Sequence, residues 1–229
     1  MGKTILIGGY GSGISAAIAQ RFGAEGFAVA LAARTADKVT AGAQALQAKG
    51  IRAAGFATDL ADPAAARALV GRAREALGPI TAVAWVAYAN AAGDLLAAEP
   101  GAIRGVLDVA VTSLVTVVQA ALPDLKQQSD AAVLIVNGGL AYSDPGVDST
   151  AVQWGAMGLA VANAAKHKLA GLLSQKLKPD GVYVGEAMVL GTVKGTSFDA
   201  GNATLDASTI AARLWDLYRA RADVTARIG

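Results

Sequence analysis

Short apolar runs alternate along this chain with longer stretches whose apolar residues recur at helical spacing. Lys3-Thr4-Ile5-Leu6-Ile7 reads as a first strand, and residues 13–23 follow as a helix. Residues 27–32, 52–57, 81–87, 132–136 and 181–189 read as further strands, with 224–228 as a last one. Helices are expected over 36–49, from Pro63 to about 77, and over 206–220, where Ile210, Leu214 and Leu217 share a face. Two long helices are expected over 102–126 and 149–177. Gly78-Pro79 ends the third helix. Segments 141–150 and 191–205 read as long polar loops that follow strands. This alternation predicts an α/β chain: a single-domain, doubly wound parallel sheet (a Rossmann fold) over 1–229, with ligand at the carboxyl ends of the strands.

The first strand runs directly into Gly8-Gly9-Tyr10-Gly11-Ser12-Gly13-Ile14-Ser15. Glycines let the backbone turn tightly and approach a pyrophosphate, and the following helix offers free N–H groups to the anion. The strand before and the helix after make this a dinucleotide site rather than a chance glycine cluster.

Composition narrows the classes. A 54% hydrophobic and 17% charged chain is globular, not disordered. The net charge of +2, with Lys and Arg scattered, argues against a nucleic-acid partner. There are no cysteines, and the lone His167 has no ligand partner, so no metal site is expected. The most apolar stretch, 106–122, is interrupted by Asp108 and Gln119 and reads as a buried helix rather than a membrane span. With the first strand beginning at residue 3 or 4, no signal peptide is expected, and a cytoplasmic location follows as an expectation.

The glycine loop, element order and length resemble the short-chain dehydrogenase/reductase family, from Lys3 to the C-terminus. That family opens Thr-Gly-x-x-x-Gly-x-Gly. Here Gly8 stands at the Thr position, Gly9 and Gly13 match, and Ser15 replaces the last glycine. The resemblance implies a small-molecule substrate and an NADP(H) cofactor held by Gly9, Tyr10, Gly11, Ser12, Gly13 and Ile14. The second strand ends Ala32-Ala33-Arg34 with no acid for a ribose 2′-hydroxyl. Arg34 is suited instead to a 2′-phosphate, with Thr35 and Lys38 as helpers. Asp59-Leu60 is similar to the family's adenine-holding pair, although Asp59 also suits a helix cap before Pro63. The family's Asn-Asn-Ala-Gly appears as Trp85-Val86-Ala87-Tyr88, which brings Ala87 and Tyr88 to the cofactor. The later Asn90-Ala91-Ala92-Gly93 sits too close to the next helix to take that place. Leu190-Gly191 replaces Pro-Gly after the sixth strand, and Gly191, Thr192 and Val193 carry over as cofactor contacts. The resemblance also implies that the two long helices pack in a homodimer or homotetramer.

The family's chemistry uses a Tyr as proton donor, a Lys four residues later, a Ser and an Asn. Those positions fall at about Leu159, Asn163, Leu140 and Ala110. No Tyr-x-x-x-Lys occurs anywhere: four residues after Tyr10, Tyr88, Tyr142, Tyr183 and Tyr218 come Ile14, Ala92, Gly146, Ala187 and Ala222. Lys166, His167 and Lys168 read as a solvated, cationic helix face. Tyr142 and Tyr88 are the candidate substitute acids, or else they only line the pocket. Three functions remain open: an atypical NADP(H)-dependent oxidoreductase acting on a small carbonyl, a non-catalytic NADP(H)-binding sensor or structural protein, and non-redox catalysis in the same pocket.

Overall fold

The computed structural model describes residues 2–196 and 198–229. Strands β1 (Lys3–Gly8), β2 (Phe27–Ala33), β3 (Ala53–Ala57), β4 (Ile80–Trp85), β5 (Ala132–Gly138), β6 (Tyr183–Val189) and β7 (Thr225–Ile228) form one sheet. Its order is β3-β2-β1-β4-β5-β6-β7, and every pairing is parallel. Helices cover both faces, so the central strands are buried on both sides and read as near-continuous apolar runs.

Helices α1 (Ile14–Ala24), α2 (Ala36–Gln47) and α8 (Ala207–Ala220) pack on one face, around Ile18, Phe22, Leu46 and Leu214. Phe22, Phe27, Trp215 and Tyr218 meet there edge-on, with centroids 5.0–6.4 Å apart apart from the tilted Trp215–Tyr218 pair. Helices α3 (Pro63–Leu77), α5 (Ser113–Leu125) and α7 (Met157–Leu177) cover the other face. The strand order reverses between β1 and β4, which opens a crevice at their carboxyl ends.

Both long helices are interrupted. The stretch expected over 102–126 divides into α4 (Pro100–Leu107), a π-helical turn at Asp108–Thr112, and α5. The buried Trp85 indole donates from Nε1 to the Val109 carbonyl oxygen at 3.0 Å, a bond to the widened turn. Pro100–Leu125 as a whole is long and apolar enough to cross a membrane, and half of its most apolar window is buried inside the protein. The stretch expected over 149–177 divides at Gly155 (φ +57°) into α6 (Pro145–Gln153) and α7. Helix α6 starts inside the segment read as a loop: Asp144 accepts from the Gly146 and Val147 amides, and Pro145 pre-sets the first turn.

Candidate active site

The glycine loop is shaped by contacts across the first two strand pairs. Gly9 adopts φ +90°, and a Cβ there would lie 2.5 Å from the Ala87 backbone, so the close crossing of the chain after β4 requires glycine. The Gly9 and Tyr10 amides both donate to the Ala32 carbonyl oxygen, at 2.9 and 2.8 Å. Ser15 is buried and latches the loop: the Gly11 amide donates to Ser15 Oγ at 2.8 Å, and Ser15 Oγ donates to the Gly11 carbonyl at 3.1 Å. The Ser12 and Gly13 amides donate to no acceptor among the described residues, and α1 begins without a side-chain cap. Two unpaired donors at a helix N-terminus, beside the open space around Gly11, fit a dinucleotide pyrophosphate. Tyr10 is placed otherwise. Its ring packs on Gly42 of α2, burial raises its hydroxyl's pKa, and its amide is already engaged, so it wedges the loop against α2.

Beyond β2, Arg34, Thr35 and Lys38 stand exposed along one rim. Arg34 makes no ion pair or hydrogen bond among the described residues. Asp59 is exposed and accepts from the Ala61 amide at 3.0 Å. The cap of α3 is Asp62, which accepts from Ala64 at 2.8 Å, so Asp59 is not that helix's cap. Leu60 is buried beside it.

A cleft of about 640 Å³ opens at the carboxyl ends of β4, β5 and β6. Ile14 joins it to the glycine loop. Its walls include Val86, Leu140, Val147, Leu159 and Leu190, with Tyr88, Tyr142, Trp154 and Phe198. Of the expected site residues, Ile14, Tyr88, Tyr142, Gly191, Thr192 and Val193 meet here. Gly9 to Gly13, Arg34, Thr35, Lys38, Asp59 and Leu60 belong to the neighbouring half of the crevice, over β1, β2 and β3. Ala87 is buried against Gly9 between the two halves.

Leu159 and Asn163 line the cleft on successive turns of α7, and Leu140 lines it from the turn after β5. Ala110 is buried in the π-helical turn and is not part of the wall. Lys166 overturns its reading as a solvated side chain. It is 2% exposed and lines the cleft. Positions 159, 163 and 166 stand at i, i+4 and i+7, one face of a helix, and that spacing is the signal available in the sequence. Burial lowers the Lys166 ammonium's pKa to about 8, partly offset by the charge of Glu186. Lys168 is exposed, as expected.

Glu186 carried no sequence signal. It lies fully buried in the middle of β6. Asn137 Nδ2 donates to its Oε1 at 2.8 Å, and Thr225 Oγ1 donates to Oε2 at 3.1 Å. His167 Nδ1 lies 2.6 Å from Oε2. Asn137 Nδ2 also donates to the Asn163 carbonyl at 3.0 Å, tying β5 to α7. The His167 ring meets Tyr142 edge-on, and Arg227 stacks over Tyr142 and donates from Nε to its hydroxyl at 3.2 Å. Tyr142 therefore has the cationic neighbour that its sequence surroundings do not provide. Tyr88 is 47% exposed, with its ring 6.1 Å from that of Phe198.

Residues 3–203 match the family model described as short chain dehydrogenase. The chain belongs to that family. A short-chain dehydrogenase from Burkholderia cenocepacia, solved in complex with NADP, is 26% identical, with a TM-score of 0.84 over 100% of this chain and 96% of that one. A Serratia marcescens short-chain dehydrogenase/reductase shares the fold at 23% identity, with a TM-score of 0.83 over 99% and 96% of the two chains. A 3-dehydrosphinganine reductase of Arabidopsis thaliana is 29% identical over 80% of this chain and 53% of its own length. The chain thus spans about half the length of that relative. Within the short-chain dehydrogenase family this chain lacks any Tyr-x-x-x-Lys sequence.

Proposed function

We propose that this chain is an NADP(H)-dependent oxidoreductase that reduces an apolar carbonyl compound. The observation that carries this reading is continuity. The unpaired Ser12 and Gly13 amides lead through Ile14 into a mostly apolar cleft with one buried ammonium in its wall. A bound reduced nicotinamide supplies the hydride. The protein's own part is to bind, orient and exclude water. The amides of Ser12 and Gly13 hold the pyrophosphate, and Arg34 pairs with the 2′-phosphate. The loop from Gly191 to Val193 closes over the nicotinamide end. The walls formed by Leu140, Leu159, Trp154 and Leu190 hold the substrate's hydrocarbon part and keep water from the carbonyl. The NADP-bound Burkholderia structure supports the cofactor, and the Arabidopsis reductases support the direction of the reaction.

The test is binding followed by turnover. A ligand that binds only the native state raises its melting temperature. NADPH is expected to do so at saturation, and no shift would refute the reading.

A second reading, a non-catalytic NADP(H)-binding protein, draws support from the absence of any Tyr-x-x-x-Lys in the chain. It predicts the same thermal shift and no NADPH oxidation with any carbonyl. Self-association into a dimer or tetramer belongs to either reading, and the exposed Val161 and Leu172 on α7 support it. A molar mass of one chain in solution would refute it.

A further inference from the structure

We propose that Lys166 is the proton donor of this cleft and that Glu186 is the fixed countercharge that keeps it an ammonium. The proposal rests on the oxidoreductase reading above. It begins from three observations that the family pattern does not contain.

The first is the ammonium itself. Lys166 is 2% exposed, lines the cleft and makes no hydrogen bond among the described residues. A buried ammonium with three unused donors is costly unless a countercharge or a ligand meets it. The second is Glu186. Its carboxylate sits on β6, wholly buried, with Asn137, Thr225 and His167 on its two oxygens. Asn137 and Thr225 donate to the carboxylate and His167 Nδ1 lies within hydrogen-bond distance, so the side chain is held in place. Its charge favours the protonated form of Lys166, against the cost of burial. The third is what else stands in the wall. Leu159 has no proton to give, and the side chain of Asn163 gives none at working pH. Tyr142 also lines the cleft, with His167 at its ring edge and Arg227 over its face and bonded to its hydroxyl.

The step balances as follows. A bound reduced nicotinamide would supply the hydride, its own C–H bond breaking and the ring becoming oxidised as the new C–H bond forms, and the carbonyl π pair would move to oxygen. Lys166 Nζ then gives one proton to that oxygen, forming the alcohol and leaving a neutral amine. The amine regains its proton from water entering the open cleft. Glu186 transfers nothing. It is a positioning residue that acts through Lys166.

The experiment has two arms. In the first, protein carrying isotope-labelled lysine is titrated by NMR, with the Lys166 signal assigned from its loss in Lys166→Met. The signal is expected to titrate near pH 8, and about one pH unit lower in Glu186→Gln. Titration alongside the surface lysines, or no movement in Glu186→Gln, would overturn the pairing. In the second arm, NADPH affinity is measured by the fluorescence of the bound nicotinamide, and turnover is followed with NADPH and benzil, an apolar diketone. Lys166→Met and Lys166→Arg are each expected to lower kcat by about a hundredfold or more. Both should leave the NADPH Kd within about threefold. Lys168→Met, a surface control, should match the wild type. Glu186→Gln should move the alkaline limb of kcat to lower pH.

Full turnover in Lys166→Met would sink the donor role. So would a loss of NADPH affinity equal to the loss of rate, because Lys166 would then be a cofactor anchor. Failure of the oxidoreductase reading looks different: the wild type itself neither binds NADPH nor consumes it with benzil, and the donor role falls with it.

Discussion

The indole ring of Trp85 occupies the space that a side chain at Gly8 would fill. The two residues face each other in the β1–β4 register, and a Cβ at position 8 would lie 2.6 Å from Trp85 Cε3. A larger side chain at position 8 is excluded by packing: the ring on β4 and the bare backbone on β1 belong together. The ring also donates to the Val109 carbonyl, so the same pair supports the π-helical turn.

Gly8→Ala should destabilise the fold by about 1–3 kcal/mol through overpacking. Combining it with Trp85→Leu should cost less than the sum of the two single changes, with about 0.5–3 kcal/mol of coupling. Urea unfolding of the four proteins in that cycle measures this. Strict additivity would show that the ring and the glycine are independent.

Ser15→Ala should cost about 1 kcal/mol, because it leaves the glycine loop without its latch on Gly11. NADPH binding should weaken as well, since the Ser12 and Gly13 amides are held by the same turn. Calorimetry of NADPH binding and thermal melts of the variant test the two effects separately. A loss of stability with unchanged affinity would confine Ser15 to structure.

Arg34→Ala should weaken NADPH binding by roughly tenfold to a hundredfold, the worth of a charge-assisted pair of about 1.5–3 kcal/mol. NADH binding should hardly change. Equal effects on the two cofactors would remove Arg34 as the reader of the 2′-phosphate.

Burial of Lys166 makes a signed prediction about pH. Its folded-state pKa is lowered to about 8, below the unfolded value of about 10.4. The unfolded chain therefore binds the extra proton between those values, and stability rises with pH across that window. The wild type should gain on Lys166→Met by up to about 1.4 kcal/mol per pH unit from pH 8 towards 10.4, and stay level below pH 8. Subtracting the variant cancels the titration of Tyr183 and Tyr218, whose pKa values are raised by burial in both proteins. Parallel melting curves at pH 7 and pH 10 would contradict the buried ammonium.

The strand and helix order, the nucleotide loop and the missing Tyr-x-x-x-Lys were all legible in the amino-acid order, because each is local: a period, a glycine turn, a fixed spacing. The helix breaks were less legible. The π-helical turn depends on a hydrogen bond from Trp85, 24 residues away in the chain. The break at Gly155 is secured by the Gly93 and Ala92 carbonyls, which accept from the Met157 and Gly158 amides.

By itself the sequence determined a doubly wound sheet with a dinucleotide loop and without the family's usual acid and lysine. Only the tertiary structure decided what stands in their place. A strand buried on both faces shows no alternation, so nothing in β6 announced where Glu186 would point or what it would meet. A lysine in the run Lys166-His167-Lys168 looks solvated until the packing of α7 against β5 and β6 turns it inward. Lys166 comes under the charge of Glu186 only where helix and sheet meet, and sequence distance carries no record of it.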